Sequence, residues 1–323
     1  MDKVYRTKRL MGILVMALLS AIVLGRPGFA GQEPKGATLK VALLPIIDAL
    51  PYYVAEKNGY FDEEGIAVTM VPVASALDRD QLMQSGAVDG MLNEMASAAM
   101  FNRQSIKVQV VASCRASQKG YPLFRILAAP DSGIGDAAEL AGIPIGISKN
   151  TIIEYVTDRL LSRQGLMERQ LTKRSVPAIP ERYHLLMNGQ IKAATLPDPL
   201  AASAMASGAH LVVDDSSYPL ISVSVLSFST AAVTEKKGML RGFLNAWNRG
   251  AAEVNAAPDA VRSVLLEKIR VPKNVQDSYA IPPFQVRQVP AKEQWDDVMS
   301  WMTEKGLLDA PLEYHDSITP DFQ

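Results

Sequence analysis

Eight polar residues stand where the chain leaves a strand and could recognise a small polar molecule: Asp48, Asn93, Glu94, Ser148, Asn150, Thr151, Glu154 and Asp198. Carboxylates accept from N–H groups and attract cations, while amides and hydroxyls both donate and accept. Ser148, Asn150 and Thr151 precede a helix, whose free N–H groups and positive end favour an oxygen-rich group; capping of that helix explains the same residues. Asp48 has two roles open to it, capping the helix that contains Pro51 or touching a ligand, and Asn93 and Glu94 either cap a helix or aim polar groups into a cleft. Glu154, one turn into its helix, points back toward the cleft or merely favours the helix dipole. Asp198 lies between Pro197 and Pro199, which makes it a rigid contact or a surface turn.

Catalysis has little to build on. His184, His210 and His315 are isolated, without H-x-x-H or H-E-x-x-H spacing, so neither a metal nor a catalytic histidine pair is expected. No G-x-G-x-x-G, G-x-x-x-x-G-K or G-x-S-x-G occurs, which leaves no cofactor, nucleotide or nucleophile-elbow motif. The expectation is a binding protein with no cofactor, not an enzyme.

The elements that position these residues alternate. Strands are expected at 39–45, 66–71, 88–92 and 108–112, with helices at 51–57, 77–84 and 95–101 between them. A second set follows: strands at 124–129, 143–147, 174–176, 193–196 and 211–213, with helices at 152–164, 182–188 and 200–207. After a returning strand at 223–228 the chain is mostly helical, at 240–255, 259–268 and 292–305. Such alternation implies α/β lobes, each a mainly parallel, doubly wound sheet. We expect one lobe from 38–122 plus 223–323 and a second from 123–222. Ligands of open α/β sheets bind beyond the carboxyl ends of the strands, so the loops after Leu44, Leu92, Ile147 and Leu196 should face each other across a cleft.

The first thirty residues read as an export leader: Lys3, Arg6, Lys8 and Arg9, then an uncharged run from Leu10 to Leu24, then Gly28-Phe29-Ala30 as a small-x-small cleavage site. The run is shorter than the ~18 residues of a membrane-spanning helix. Cleavage near Ala30, a linker at 31–37 and a periplasmic product follow, and no cysteine near that site offers a lipid anchor. Cys114 is the single cysteine and excludes an internal disulfide. Without the leader, 28 basic residues face 33 acidic ones, a net charge of −5 that gives no support for nucleic-acid binding.

The stretch D-A-L-P-Y-Y-V-A-E-K-N-G-Y-F-D-E-E-G-I-A-V, from Asp48 to Val68, resembles the opening of the nitrate/sulfonate/taurine and thiamine-precursor receptor family. L-M-Q-S-G-A-V-D-G, D-S-G-I-G-D-A-A-E-L-A-G, G-I-S-K-N-T-I-I-E-Y, L-M-N-G-Q-I-K-A-A and P-D-P-L-A follow in the family's order, from Leu82 to Ala201. The resemblance implies the two-lobed type II periplasmic binding fold, a monomeric receptor with its ligand cleft between lobes, and an ABC permease as partner. A sensory module read by a membrane receptor is the third class. Enzymes that resemble this fold, the thiamine-pyrimidine synthases, carry a cysteine-rich motif that one cysteine does not supply.

In the cleft loops and first helical turn, Asp48, Glu94, Glu154 and Asp198 outnumber Lys149 four to one. That field predicts a neutral or cationic nitrogen-containing ligand, such as a thiamine-precursor pyrimidine. The alternative is an organosulfonate held at Ser148–Thr151 with Arg115 or Arg125 reaching in from the crossover. Tyr52, Tyr53 and Tyr155 could offer a stacking face or belong to the core. Closure should pivot on the crossovers, near 117–127 and 218–227.

Overall fold

The computed structural model describes residues 38–323; the expected leader and linker, residues 1–37, lie outside the described residues. Ten strands follow in chain order: β1 (Thr38–Leu43), β2 (Ala67–Pro72), β3 (Gly90–Glu94), β4 (Val108–Ala116), β5 (Phe124–Ala128), β6 (Pro144–Ile147), β7 (Thr172–Ser175), β8 (Ala193–Pro197), β9 (His210–Asp214) and β10 (Val223–Ser229). They form two five-stranded sheets, ordered β2-β1-β3-β10-β4 and β7-β6-β8-β5-β9. The first sheet thus draws on both ends of the chain and the second on its middle.

Each sheet is mainly parallel with one reversed strand. In the first, β1 pairs in parallel with β2 and β3, while β10 runs antiparallel to β3 and β4. In the second, β6 pairs in parallel with β7 and β8, and β5 runs antiparallel to β8 and β9. The reversed strands are the first reached after each crossover. A chain that leaves one sheet at its cleft end enters the other there too, and so must run away from the cleft.

The helices are α1 (Leu50–Lys57), α2 (Tyr60–Glu63), α3 (Ala76–Gln84), α4 (Met95–Asn102), α5 (Ile152–Arg163), α6 (Ile179–Met187), α7 (Leu200–Ala206), α8 (Thr230–Glu235), α9 (Lys237–Ala256), α10 (Arg262–Lys268), α11 (Lys292–Glu304) and α12 (Tyr314–Ser317). Helices α2, α8 and α12 are additions to the sequence reading, at four to six residues each. They are too short for a 3.6-residue period to show. The stretch expected as one helix from 259 splits into a 3₁₀ turn, Pro258–Val261, and α10.

Packing explains the longer elements. Helix α9 buries Phe243 and Trp247 beside α1, whose Tyr52 ring lies tilted 5.2 Å from that of Phe61, and Phe61 in turn stacks on Phe243 at 5.6 Å. A Cβ at Gly250 would overlap the Pro51 carbonyl oxygen, so glycine lets α9 approach α1 at this point. A second apolar cluster spans both sheets, from Val108 and Val110 through Ile126 and Tyr155 to Trp295 and Trp301.

Candidate functional site

A cavity of about 90 Å³ lies where the cleft ends of the two sheets meet. From the first sheet it takes Leu44 and Asp48 beyond β1, Asn93 and Glu94 closing β3, and Arg115 on β4; from the second, Phe124, Ser148, Thr151 and Pro197. The positions follow from strand direction, since parallel strands deliver their carboxyl ends to one edge. Pockets for drug-sized ligands start near ~300 Å³, so this one suits a smaller molecule.

The acidic residues of the cavity are already engaged. Asp48 accepts from Nε of Arg115, whose Nη1 also donates to the Pro122 carbonyl at 3.2 Å. Glu94 is gripped by Arg79 through Nη1 at 2.8 Å and Nη2 at 3.4 Å, and Arg79 Nε reaches Asp80 at 2.8 Å. Arg79 and Arg115 are both buried beside their carboxylates. Asn93 is tied within its own sheet, its Oδ1 accepting from Ser227 Oγ at 2.7 Å.

Arg182 differs. It lines the cavity from α6, is wholly buried, and donates only to carbonyl oxygens: Nε to Thr195 at 2.9 Å and Nη1 to Val176 at 2.5 Å and Pro177 at 3.4 Å. Its Nη2 has no partner, and no carboxylate pairs with it among the described residues. Burial without a counter-charge pushes its pKa down to about 10. The cavity therefore carries three guanidiniums, Arg79, Arg115 and Arg182, against two carboxylates, Asp48 and Glu94. With Asp80 also on Arg79, these arginines offset the acidic excess read from the loops, because they come from helix and strand interiors that the loop count omitted.

At the start of α5, Thr151 is the cap: its Oγ1 accepts from Ile153 N at 3.2 Å and donates to the Ser148 carbonyl at 2.8 Å. Ser148 and Thr151 line the cavity as well, so capping and lining coexist. Asn150 is exposed, adopts φ 60°, and is not among the lining residues. Glu154 also stands away from the cavity; its Oε2 accepts from Asn150 N at 2.7 Å and its Oε1 from Lys173 Nζ at 3.0 Å. Asp198 pairs with Arg125 in a separate cavity of about 310 Å³ that includes Tyr121 and Tyr279.

Residues 47–261 match the family described as NMT1/THI5 like. The chain belongs to this family. Its relatives include a Brachyspira hyodysenteriae protein that bears the name ABC transporter periplasmic binding protein, 23% identical over 71% of this chain and 68% of its own length. A formylaminopyrimidine-binding protein of Halalkalibacterium halodurans is 28% identical, over 35% of this chain and 33% of its own. Among solved structures, the alkanesulfonate-binding protein SsuA of Xanthomonas axonopodis pv. citri bound to MOPS shares the fold at TM-score 0.75, with 16% identity over 90% of this chain and 99% of that one. The desulfurization enzyme DSZB shares it at TM-score 0.64, with 16% identity over 88% and 97%. These likenesses establish the two-lobed periplasmic binding fold for this NMT1/THI5-like chain.

Five of the eight residues singled out from the sequence come together in the cavity of this family member: Asp48, Asn93, Glu94, Ser148 and Thr151. Sequence reasoning missed two further lining residues, Arg79 and Arg182. One signal for Arg182 exists: it stands four residues before Leu186, the other buried position of α6, so a charge occupies the helix's inward stripe. Tyr52, Tyr53 and Tyr155 are core residues. Helix α5 directs its N-terminal end and the Ser148–Thr151 loop at the cavity, which together with Arg182 can hold an acceptor-rich group.

Proposed function

We propose that this NMT1/THI5-like protein is the extracytoplasmic receptor of an ABC importer and captures a small, anion-bearing molecule between its two lobes. The observation that carries the ligand class is Arg182. A buried guanidinium with no counter-ion destabilises the folded protein by several kcal/mol, and a bound sulfonate or carboxylate relieves that penalty. Asp48 and Glu94 contribute no free negative field, since each is neutralised by an arginine. The nucleophiles lining the cavity are hydroxyls without a histidine beside them.

Capture follows from geometry. A ligand that touches Arg182 and Ser148 on one lobe and the Asn93 region on the other is bound more tightly when the lobes are together, and that difference shifts the equilibrium toward closure. The permease then reads the closed form.

Calorimetry with ethanesulfonate, taurine, an aminopyrimidine and a primary amine tests the assignment. Micromolar binding of a sulfonate or carboxylate, weakened about a hundredfold (~2.8 kcal/mol) in Arg182→Gln, is the expected result. Binding of the aminopyrimidine with none of the anions would overturn it and favour the ligand class named for the Halalkalibacterium relative.

A further inference from the structure

Outside the cavity, α11 of the first lobe lies against α5 of the second, and the contacts between them involve groups that the ligand site does not use. Tyr155 donates through its hydroxyl to Asp297 Oδ2 at 2.5 Å and meets Trp301 edge-on, with ring centroids 5.5 Å apart. Trp301 Nε1 donates to Asp158 Oδ2 at 2.9 Å, and Arg159 reaches Asp297 Oδ2 at 3.1 Å. Lys305, just past α11, comes within 3.1 Å of Asp158 and 3.7 Å of Glu154. Lys173 on β7 closes the cluster from within the second lobe, at 2.5 Å from Asp158 and 3.0 Å from Glu154. Lys305 also pairs with the exposed Glu168.

Glu154 links this cluster to the ligand loop. Its Oε1 faces Lys173 and Lys305, while its Oε2 holds the Asn150 N–H, fixing a left-handed residue between Ser148 and Thr151. A non-glycine residue at positive φ is strained and stays there only when neighbours hold it.

We propose that α11 and α5 form an interlobe clasp that keeps the lobes together through protein contacts alone, and that Glu154 is a positioning residue through which the clasp sets the Ser148–Thr151 loop. The statement about the loop rests on the cavity being the ligand site; the statement about closure does not. Two carboxylates and two ammonium groups, largely shielded from water, make the contact specific: removing one partner leaves an uncompensated buried charge. Because coupling is reciprocal, a ligand that orders the loop strengthens the clasp by the same factor that the clasp strengthens ligand binding.

The test uses the mature protein with Lys305→Glu, which sets four acidic groups together, and the milder Lys305→Met should the former fail to fold. Small-angle scattering without ligand is the deciding measurement. The wild type is expected to scatter as a compact particle and the variant as a more extended one, with far-UV circular dichroism unchanged; identical profiles would overturn the clasp. In calorimetry with ethanesulfonate, either variant is expected to lose about tenfold in affinity, mainly through faster dissociation, although Lys305 lies outside the cavity. Affinity within twofold of the wild type would overturn the coupling through Glu154. A wild type that binds no sulfonate strikes at the ligand class alone, since the scattering result is read without ligand.

Discussion

A guanidinium that spends its hydrogen bonds on carbonyls and leaves one nitrogen unpartnered is an unusual use of an arginine, and the proposed ligand class rests on Arg182. Which arginine matters was hidden from the sequence because pairing is a tertiary choice. Arg115 and Arg125, the two that the linear reading considered, are taken by Asp48 and Asp198, residues 67 and 73 positions away. The carboxylates were found from their place after strands, but a carboxylate and its neutralising partner are equally visible only once the chain is folded. A second residue makes a pH prediction. Asp215 is wholly buried, accepts from Leu123 N at 2.9 Å and Phe124 N at 3.1 Å, and is pushed by burial to about 7, with those N–H groups and Arg115 pulling the other way. Its folded pKa lies above the ordinary carboxylate value of ~3.9, so the folded protein binds the extra proton between roughly pH 4 and 7. The contribution of this group is present at low pH and is lost as pH rises through about 7. Thermal midpoints of wild type and Asp215→Asn should therefore diverge with pH, the wild type losing ground between roughly pH 4 and 7 and the variant staying flatter; parallel curves would refute the assignment.

At the scale of elements, helices of eight or more residues and all ten strands declared themselves through periodicity, because each presents one apolar face or a buried run. The four-residue α2 and α12 did not, and neither did the partners of α11. Its amphipathic pattern shows that it packs, not that it touches α5 of the other lobe as well as α4. Two substitutions test how elements are held. Gly250→Ala places a methyl group against the Pro51 carbonyl and should destabilise the α9–α1 contact by about 1–3 kcal/mol, read as a lowered urea midpoint with an unchanged slope. Thr151→Ala removes the α5 cap and should cost about 1 kcal/mol of stability, together with weaker ligand binding, since Thr151 also lines the cavity. A variant with full stability would show that the Thr151 hydroxyl does not cap the helix in solution.

For the whole molecule, the alternation of strands and helices gave away two sheets, and the reversed direction of β5 and β10 follows from a chain that crosses twice between them. The electrostatic character of the space enclosed between those sheets was not legible, because it depends on three arginines drawn from α3, β4 and α6. The ligand proposed for this space is a small anion-bearing molecule. Native mass spectrometry of the protein purified gently from its own cells, followed by identification of whatever it releases on denaturation, tests this most directly. One small sulfonate or carboxylate per chain is expected, absent from the Arg182→Gln variant; a cationic or neutral amine retained equally by both proteins would overturn the proposal.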